Sequence, residues 1–300
     1  YAMTGGATGI GAAIRTRLRA AGHELIVVDI KDADIVADLG TVQGRRAALE
    51  GICARAGDGL DGFVPCAGVN GNIADRALVP SVNYFGTVEL VSGLRDLLAA
   101  RKGSVVLVSS NSAPHPTSED YVQALLAGDE ARARQLAVSM DGHPVYSGSK
   151  QALARWMRRQ VRDYAHAGVR LNAIAPGYTQ TPMTAAAEAD PELGDAVRRF
   201  LAATPVGRAT AVSTRCRVPT PSDRPGPHQR GLRAGALCGG GLFLAGGAGF
   251  FATALRGVGS GGDPAAVSTA SIAFASAFMN APRSGTMSLS TVTPQNMRPL

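Results

Sequence analysis

Cysteine is scarce in this sequence, with four copies among 300 residues. The four, Cys53, Cys66, Cys216 and Cys238, show neither the close pairs of a zinc site nor the framework of a disulfide-rich fold. This pattern predicts reduced thiols and no bound metal, and we expect no cleavable signal peptide at the start of the chain. Few, unpaired cysteines are typical of a cytoplasmic protein, and we predict that location.

A long hydrophobic run is equally rare. Residues 236–255 carry no charge and are numerous enough to span a bilayer. The run contains six glycines, however, and neither end carries the belt of Trp, Tyr and clustered basic residues that flanks membrane helices. We therefore predict no membrane segment, and a protein anchored through this run is the less favoured alternative.

A concentrated basic surface is also missing, although the net charge is +7. Residues 212–300 contribute eight arginines and two acids to that charge. Residues 1–211 hold 22 basic and 21 acidic side chains and are nearly neutral. Nucleic-acid-binding domains concentrate positive charge on one face. The sequence therefore predicts no nucleic-acid partner.

The sequence does contain, from about residue 4 to 204, an alternation of short apolar runs with helix-length amphipathic segments. The strand candidates are residues 25–29, 35–39, 62–66, 104–109 and 169–175. The helix candidates are residues 9–21, 42–56, 79–101 and 146–166. Such alternation is typical of a parallel sheet with helices on both faces. We predict an α/β fold with a doubly wound, Rossmann-type parallel sheet in a domain over residues 1–211.

One segment, residues 114–144, interrupts this rhythm because it separates a strand from the next helix by far more than a usual connection. Its middle, residues 118–139, has helical spacing, and Ser118 followed by Glu119 and Asp120 is a helix start signal. We predict an inserted helical hairpin near the mouth of the active site.

A glycine-rich turn at residues 4–11, Thr-Gly-Gly-Ala-Thr-Gly-Ile-Gly, connects the first strand to a helix. Glycines let backbone N–H groups approach a pyrophosphate closely, and a helix N-terminus favours its negative charge. An ordinary turn is the alternative interpretation. We expect this turn to bind a dinucleotide through Gly5, Thr8, Gly9, Ile10 and Gly11.

Asp29 closes the second strand at the distance from this turn that suits a carboxylate bound to the adenosine ribose. The carboxylate would repel a 2′-phosphate, and the turn contains no arginine to offset that repulsion. The sequence thus predicts NAD as the cofactor, with NADP less favoured. Asp38 and Leu39 lie at the end of the next strand and are placed to meet the adenine. For Asp38, a solvated acid at a strand end is the alternative.

The pentapeptide Tyr146-Ser147-Gly148-Ser149-Lys150 places a phenol and an ammonium group on one face of a helix. A free tyrosine is a poor base at neutral pH because its pKa is ~10. We expect the cation of Lys150 and the positive nicotinamide to lower that pKa by about three units. Chance spacing is the alternative, since such pairs occur in many helices.

Two polar residues accompany this pair. Ser110 follows a valine-rich strand and should lie at the carboxyl edge of the sheet, where open α/β folds bind ligands. Asn83 stands in an otherwise apolar helix, so a water leading towards Lys150 would satisfy its amide. The alternatives are a strand-ending serine and a structural amide.

In their order and spacing, these motifs resemble those of the short-chain dehydrogenase/reductase family, over about residues 1–210. The motifs are the glycine turn, Cys66-Ala67-Gly68, Asn83, Ser110, Tyr146 with Lys150, and Asn172 to Pro176-Gly177. Within the family, the chain resembles the bacterial 3α-hydroxysteroid dehydrogenase/carbonyl reductase branch, through residues 28–30 and 37–39 and the long insertion. One departure is Pro65-Cys66, which replaces the commoner Asn-Asn and puts a local loop contact in doubt.

The resemblance implies an enzyme that moves a hydride between a nicotinamide dinucleotide and an alcohol or carbonyl carbon. It implies Tyr146 as the general acid/base, Ser110 as the residue that orients the substrate oxygen, Lys150 as the ribose-binding cation and Asn83 as a proton relay. The further cofactor contacts that it implies are Cys66, Ala67, Gly68, Pro176, Gly177, Thr179 and Thr181.

Residues 212–300 depart from the family, which should continue with a helix and a last strand ending near Val-Asp-Gly-Gly. The tail is instead rich in proline, glycine, alanine and serine, a composition that specifies a packed core poorly. Our hypothesis is an out-of-frame translation: GTC-GAC-GGT encodes Val-Asp-Gly, and one base later it reads as Ser-Thr-Val, the sequence at residues 290–292. A divergent, disordered extension is the alternative. Either way, we expect an unpaired sheet edge.

We predict a substrate that is a small hydrophobic alcohol or ketone, such as a hydroxysteroid. Tyr178, Met183 and Phe200 are the apolar candidates to meet it at the mouth, and ordinary packing is their alternative. A second functional hypothesis is a catalytically impaired or inert dinucleotide-binding protein, because the last strand and helix are missing. Since the insertion could obstruct helix pairing between subunits, we predict a homodimer at most.

Overall fold

The computed structural model describes residues 1–189, 194–203, 209–211 and 242–244. These residues form a seven-stranded sheet of order β3-β2-β1-β4-β5-β6-β9 and a small sheet of β7 and β8. The strands are β1 (Ala2–Thr4), β2 (Ile26–Asp29), β3 (Ile35–Val36), β4 (Gly62–Pro65), β5 (Ser104–Val108), β6 (Arg170–Ala175), β7 (Thr179–Gln180), β8 (Thr210–Ala211) and β9 (Leu242–Leu244). Strands β1 to β6 are parallel, so the predicted sheet is confirmed.

Helices connect these strands. They are α1 (Gly9–Ala20), α2 (Val42–Arg55), α3 (Leu78–Pro80), α4 (Gly86–Gly93), α5 (Arg95–Ala100), α6 (Glu119–Ala127), α7 (Glu130–Ser139), α8 (Gly142–His166), α9 (Pro182–Ala189) and α10 (Gly194–Ala203). A π-helical turn, Ser81–Phe85, joins α3 to α4. The predicted helix over residues 79–101 is therefore real but divided.

Alternate residues of the central strands enter two separate hydrophobic cores. Ala2 and Val28 belong to the larger core, whereas their neighbours Met3 and Val27 belong to the smaller one. This follows from the strand geometry, which turns successive side chains to opposite faces. Helix α1 covers the smaller core through Ile14, and helices α2, α4 and α8 cover the larger core on the other face. The sheet is thus buried on both faces, as its apolar strands predicted.

The strand order determines where a ligand can bind. The chain runs from the central strand β1 outwards to β2 and β3, and then returns to the other side of β1 with β4. The loops that follow β1 and β4 therefore diverge and leave a crevice at the carboxyl edge of the sheet.

The predicted hairpin at residues 118–139 is present as helices α6 and α7. The Ser118 side chain accepts a hydrogen bond from the backbone of Tyr121 at 3.4 Å and so caps α6. Gly128 ends α6 with a φ of 79°, and Asp129 caps α7 by accepting from Arg132 N at 2.9 Å. Helix α6 packs along α8, whereas α7 packs on α3 and the π-helical turn.

The edge of the sheet at β6 is covered by β9, which pairs antiparallel from Ala173 with Leu244 to Ala175 with Leu242. The prediction of an unpaired edge is therefore wrong at this point. The remainder of the tail, and with it the frame-slip hypothesis, lies outside the described residues. Of the hydrophobic run at residues 236–255, only β9 is described. Among the described helices, none combines the length and apolar character that a bilayer span requires.

Candidate active site

A groove of about 630 Å³ lies at the carboxyl edge of the sheet. Every predicted cofactor residue lines it, namely Gly5, Thr8, Gly9, Ile10, Gly11, Asp29, Asp38, Leu39, Cys66, Ala67, Gly68, Lys150, Pro176, Gly177, Thr179 and Thr181. Ser110 and Tyr146 line the same groove. Of the predicted catalytic and cofactor-binding residues, Asn83 alone is absent from the lining. The fold thus brings together motifs that are up to 176 residues apart in the sequence.

The glycine turn forms the floor of the groove because side chains would not fit there. Gly5 has a φ of +74°, and a Cβ on it would lie 2.5 Å from the backbone nitrogen of Ala67. A Cβ on Gly11 would overlap the carbonyl oxygen of Gly5. The backbone therefore comes close to the groove, where the N-terminus of α1 presents unpaired N–H groups.

Asp29 connects the end of β2 to the glycine turn. Its Oδ2 accepts a hydrogen bond from Ala7 N at 2.9 Å, and its Oδ1 accepts from Ile30 N at 2.7 Å. Two backbone bonds hold the carboxylate in one orientation at the rim of the groove. The carboxylate of Asp38 accepts from Gly40 N at 2.8 Å and so shapes the adjacent turn.

Tyr146 and Lys150 lie one turn apart on α8 and both face the groove, as predicted. The Nζ atom of Lys150 is 5.8 Å from the centroid of the Tyr146 ring. Burial raises the pKa of Tyr146, and a hydrogen bond with Ser110 opposes that rise. The predicted lowering of the tyrosine pKa requires the positive nicotinamide as well as Lys150, and it stays a prediction. Burial also lowers the pKa of Lys150 to about 8.

Hydrogen bonds join the end of β5 to helix α8. Lys150 Nζ donates to the carbonyl of Val108 at 2.9 Å, and Ser109 Oγ donates to the carbonyl of Lys150 at 3.2 Å. Ser110 Oγ accepts from Ser112 N at 3.1 Å, which fixes its hydroxyl beside Tyr146. The predicted strand-end serine thus has a defined position in the site.

Asn83 lies behind the groove in the π-helical turn and is fully buried. Its Nδ2 donates to Val69 O at 2.9 Å and to Ser149 Oγ at 3.3 Å, and its Oδ1 accepts from Val69 N at 2.8 Å. This matches the structural amide that the sequence left open. Asn83 and Lys150 both approach Gly68, where a Cβ would lie 3.3 Å from Asn83 Oδ1 and 3.8 Å from Lys150 Nζ.

The segment after β6 holds a threonine that sequence reasoning missed. Thr184 Oγ1 accepts from Thr181 N at 2.9 Å, and Thr184 N donates to Thr181 Oγ1 at 3.3 Å. Thr184 Oγ1 also donates to Thr179 O at 2.7 Å, which fastens the groove segment. The Thr-Pro-Met-Thr sequence could have indicated this contact. Its two threonines can cap the helix reciprocally, and its proline suits the first helical position.

The structure brings only one of the three residues predicted for the substrate side to the groove. Met183 lines the groove, but Tyr178 and Phe200 do not; their ring centroids lie 6.4 Å apart. No described residue of the insertion, residues 114–144, lines the groove either. Helices α6 and α7 pack on α8 and α3, and the position of the hairpin near the mouth of the active site stays a prediction.

Comparison with known proteins agrees with this architecture. Residues 2–122 match the short chain dehydrogenase family model, and residues 134–216 match the enoyl-(acyl carrier protein) reductase model. The chain is 41% identical, over 69% of its length and 82% of the relative's, to 3-alpha-hydroxysteroid dehydrogenase/carbonyl reductase of Comamonas testosteroni. It belongs to the short-chain dehydrogenase family.

Two other oxidoreductases are also similar to this chain. Acetoacetyl-CoA reductase of Synechocystis is 29% identical over 63% of this chain and 75% of that protein. The structure of 3-alpha-hydroxysteroid dehydrogenase from Pseudomonas sp. B-0831, complexed with NADH, superposes with a TM-score of 0.67 at 45% identity, over 70% of this chain and 84% of that one. This short-chain dehydrogenase is thus an oxidoreductase that uses a nicotinamide dinucleotide. The alternative of an inert protein gains no support.

Proposed function

We propose that this short-chain dehydrogenase transfers a hydride between NAD(H) and the carbon of a secondary alcohol or ketone. The observation that carries the proposal is the meeting of Tyr146, Ser110 and Lys150 in the groove that the glycine turn floors. A phenol, a hydroxyl and an ammonium group are the set that this reaction needs, namely a proton donor, an orienting hydrogen bond and a positive charge.

In this proposal the substrate receives both a hydride and a proton in reduction and loses both in oxidation. NADH, when bound, supplies the hydride that reaches the carbonyl carbon. Tyr146 gives its proton to the carbonyl oxygen in reduction and takes the hydroxyl proton in oxidation, while Ser110 holds that oxygen by a hydrogen bond. The Lys150 ammonium favours the phenolate that burial disfavours, and a positive nicotinamide bound beside it would add to this effect. Lys150 also binds the nicotinamide ribose, and a water between Asn83 and Lys150 relays the proton.

The groove residues fit a dinucleotide in one direction. The pyrophosphate would lie over Gly5, Thr8, Gly9, Ile10, Gly11 and Thr181, at the N-terminus of α1. The adenosine would lie beside Asp29, Asp38 and Leu39, at the ends of β2 and β3, with Cys66, Ala67 and Gly68 along its path. The nicotinamide would lie beside Pro176, Gly177 and Thr179, near Tyr146.

We propose NAD rather than NADP as the cofactor because of Asp29. Its carboxylate is held by Ala7 and Ile30 at the adenosine end of the groove, where a 2′-phosphate would meet its negative charge. The NADH complex of the Pseudomonas relative is consistent with this choice. Cys66 adds no charge there, since burial raises the pKa of its thiol to about 11.

For the substrate we propose a hydrophobic carbonyl compound or alcohol, such as a hydroxysteroid. The name of the Comamonas relative supports this class, and Met183 offers an apolar surface beside the groove. We further propose that the enzyme is cytoplasmic. We also propose that it forms a homodimer at most, because α6 packs on α8 within the chain. No nucleic acid or membrane partner belongs to the proposal.

Binding and turnover of the purified full chain test this function. We expect NADH to bind and to be oxidised in the presence of hydrophobic ketones, with lower efficiency for NADPH. NADH binding without turnover on any ketone or secondary alcohol of a broad panel would contradict the proposal. That result would favour the inert alternative.

A further inference from the structure

Helix α7 of the insertion lies directly behind one wall of the groove. It packs against α3 and the π-helical turn, whose Leu78 and Val82 line the groove. The side of α7 that meets the body carries Ala133 and Ala137, both fully buried. Small side chains let the helix approach its neighbours closely. Two layers, the wall and α7 behind it, therefore bound the groove on this side.

Three polar contacts hold α7 against this wall and against helix α2. Arg134 Nη1 donates to Ser81 Oγ in the π-helical turn at 2.7 Å. Arg76 Nη2 donates to the carbonyl of Val138 at 3.1 Å. Glu130 forms a two-pronged ion pair with Arg45 of α2, at 2.5 and 3.2 Å. The contacts join segments up to 85 residues apart, so they connect the insertion to the nucleotide-binding half of the fold.

Arg45 connects helix α7 to a residue that lines the groove. Its side chain is only 2% exposed, and Nη1 also donates to the carbonyl of Leu39, a groove-lining residue, at 3.3 Å. Its Nε donates to Glu89 of α4 at 2.7 Å. A buried guanidinium needs carboxylate partners to offset its loss of hydration. Glu130 therefore helps to keep Arg45, and through it Leu39, in place.

The wall of Leu78 and Val82 lies beside the residues that the proposed function assigns to the adenosine, because a Cβ on Gly40 would lie 3.0 and 3.6 Å from these two side chains. Asp38 and Leu39 follow β3, on one side of the central strand, whereas Tyr146 and Lys150 stand by β5 on the other. We propose that helix α7 fixes the adenosine end of the cofactor site, with Arg45 and Glu130 as positioning residues. This proposal rests on the proposed function, since it requires a dinucleotide in the groove. It gives the insertion a role in cofactor binding instead of substrate recognition.

A matched pair of substitutions separates this role from general stabilisation. Glu130→Gln removes the charge that holds Arg45. Glu119→Gln removes another ion pair between the same hairpin and the body, that with Arg155 of α8 at 2.6 Å, away from the adenosine wall. The ligands are NADH, ADP-ribose as the adenosine half, and reduced nicotinamide mononucleotide as the other half. Their Kd values would be measured by fluorescence titration or competition on the full chain.

We expect Glu130→Gln to weaken NADH and ADP-ribose by about threefold to tenfold, with the mononucleotide affinity and kcat at saturating NADH unchanged. Glu119→Gln should leave all three affinities as in the wild type. Unchanged ADP-ribose affinity in Glu130→Gln would overturn the proposal, as would equal weakening of both halves. If that variant does not fold, Ser81→Ala, which cuts the Arg134 contact, provides the same comparison. A wild-type chain that binds neither NADH nor ADP-ribose would overturn the proposed function, and this inference with it.

Discussion

The ammonium group of Lys150 donates a hydrogen bond to the carbonyl oxygen of Val108 at 2.9 Å. Helix α8 thereby delivers its cation to the end of the strand that also supplies Ser110. Because the cation is buried in this position, its charge is costly in the protein alone. That cost has a consequence for the dependence of stability on pH.

Lys150 should make the protein more stable as the pH rises through the alkaline range. Burial lowers its pKa from 10.5 to about 8, so between these values the unfolded chain binds more protons at this residue than the folded protein does. Stability rises with pH wherever that is so. We expect the free energy of unfolding of the wild type, relative to that of Lys150→Met, to increase between pH 8 and 10.5. Urea unfolding of both proteins checks this, and parallel pH profiles would contradict it.

Gly5→Ala should damage the groove far more than Gly22→Ala. Both glycines have positive φ values, +74° and +79°, so each substitution carries a backbone strain of about 1–2 kcal/mol. Only at Gly5 would the new Cβ meet another backbone, that of Ala67 at 2.5 Å; at Gly22 nothing lies within 4 Å. We expect thermal unfolding to show a larger loss for Gly5→Ala, and NADH titration to show a loss of binding in that variant alone. Equal effects of the two substitutions would count against the role of the turn.

Asp29→Asn should relax the preference for NAD. The substitution keeps the shape of the side chain and removes the charge that faces a 2′-phosphate. A hydrogen bond to a charged group contributes about 1.5–3 kcal/mol, so we expect the ratio of kcat/KM for NADPH to that for NADH to rise by at least about tenfold. Steady-state kinetics with both cofactors measures this ratio. A ratio that does not change would show that Asp29 does not set the cofactor preference.

Local spacing explains why much of the groove could be predicted from the sequence. The glycine turn and the Tyr146–Lys150 pair each depend on neighbours within one turn or one helix. The hairpin was predictable for the same reason, since Ser118 and Gly128 cap its first helix locally. Its position was not predictable, because that depends on contacts such as Arg45 with Glu130, which are distant in sequence.

Two other features could not be read from the sequence. The burial that opposes ionisation of Tyr146 appears only in the fold. The strand β9 was missed because three apolar residues in a glycine-rich stretch show no periodicity. Asn83 illustrates a middle case: its burial was expected from the apolar helix around it, whereas its partner Val69 was not.

The phenol of Tyr146 is the group that moves the proton in the proposed reaction. Tyr146→Phe removes one oxygen atom and keeps the ring, so NADH should bind with an unchanged Kd. We expect kcat for ketone reduction to fall by about 10²–10⁴-fold. Paired measurements of NADH affinity and turnover in the wild type and this variant decide the question. Turnover at the wild-type rate in Tyr146→Phe would contradict the central claim.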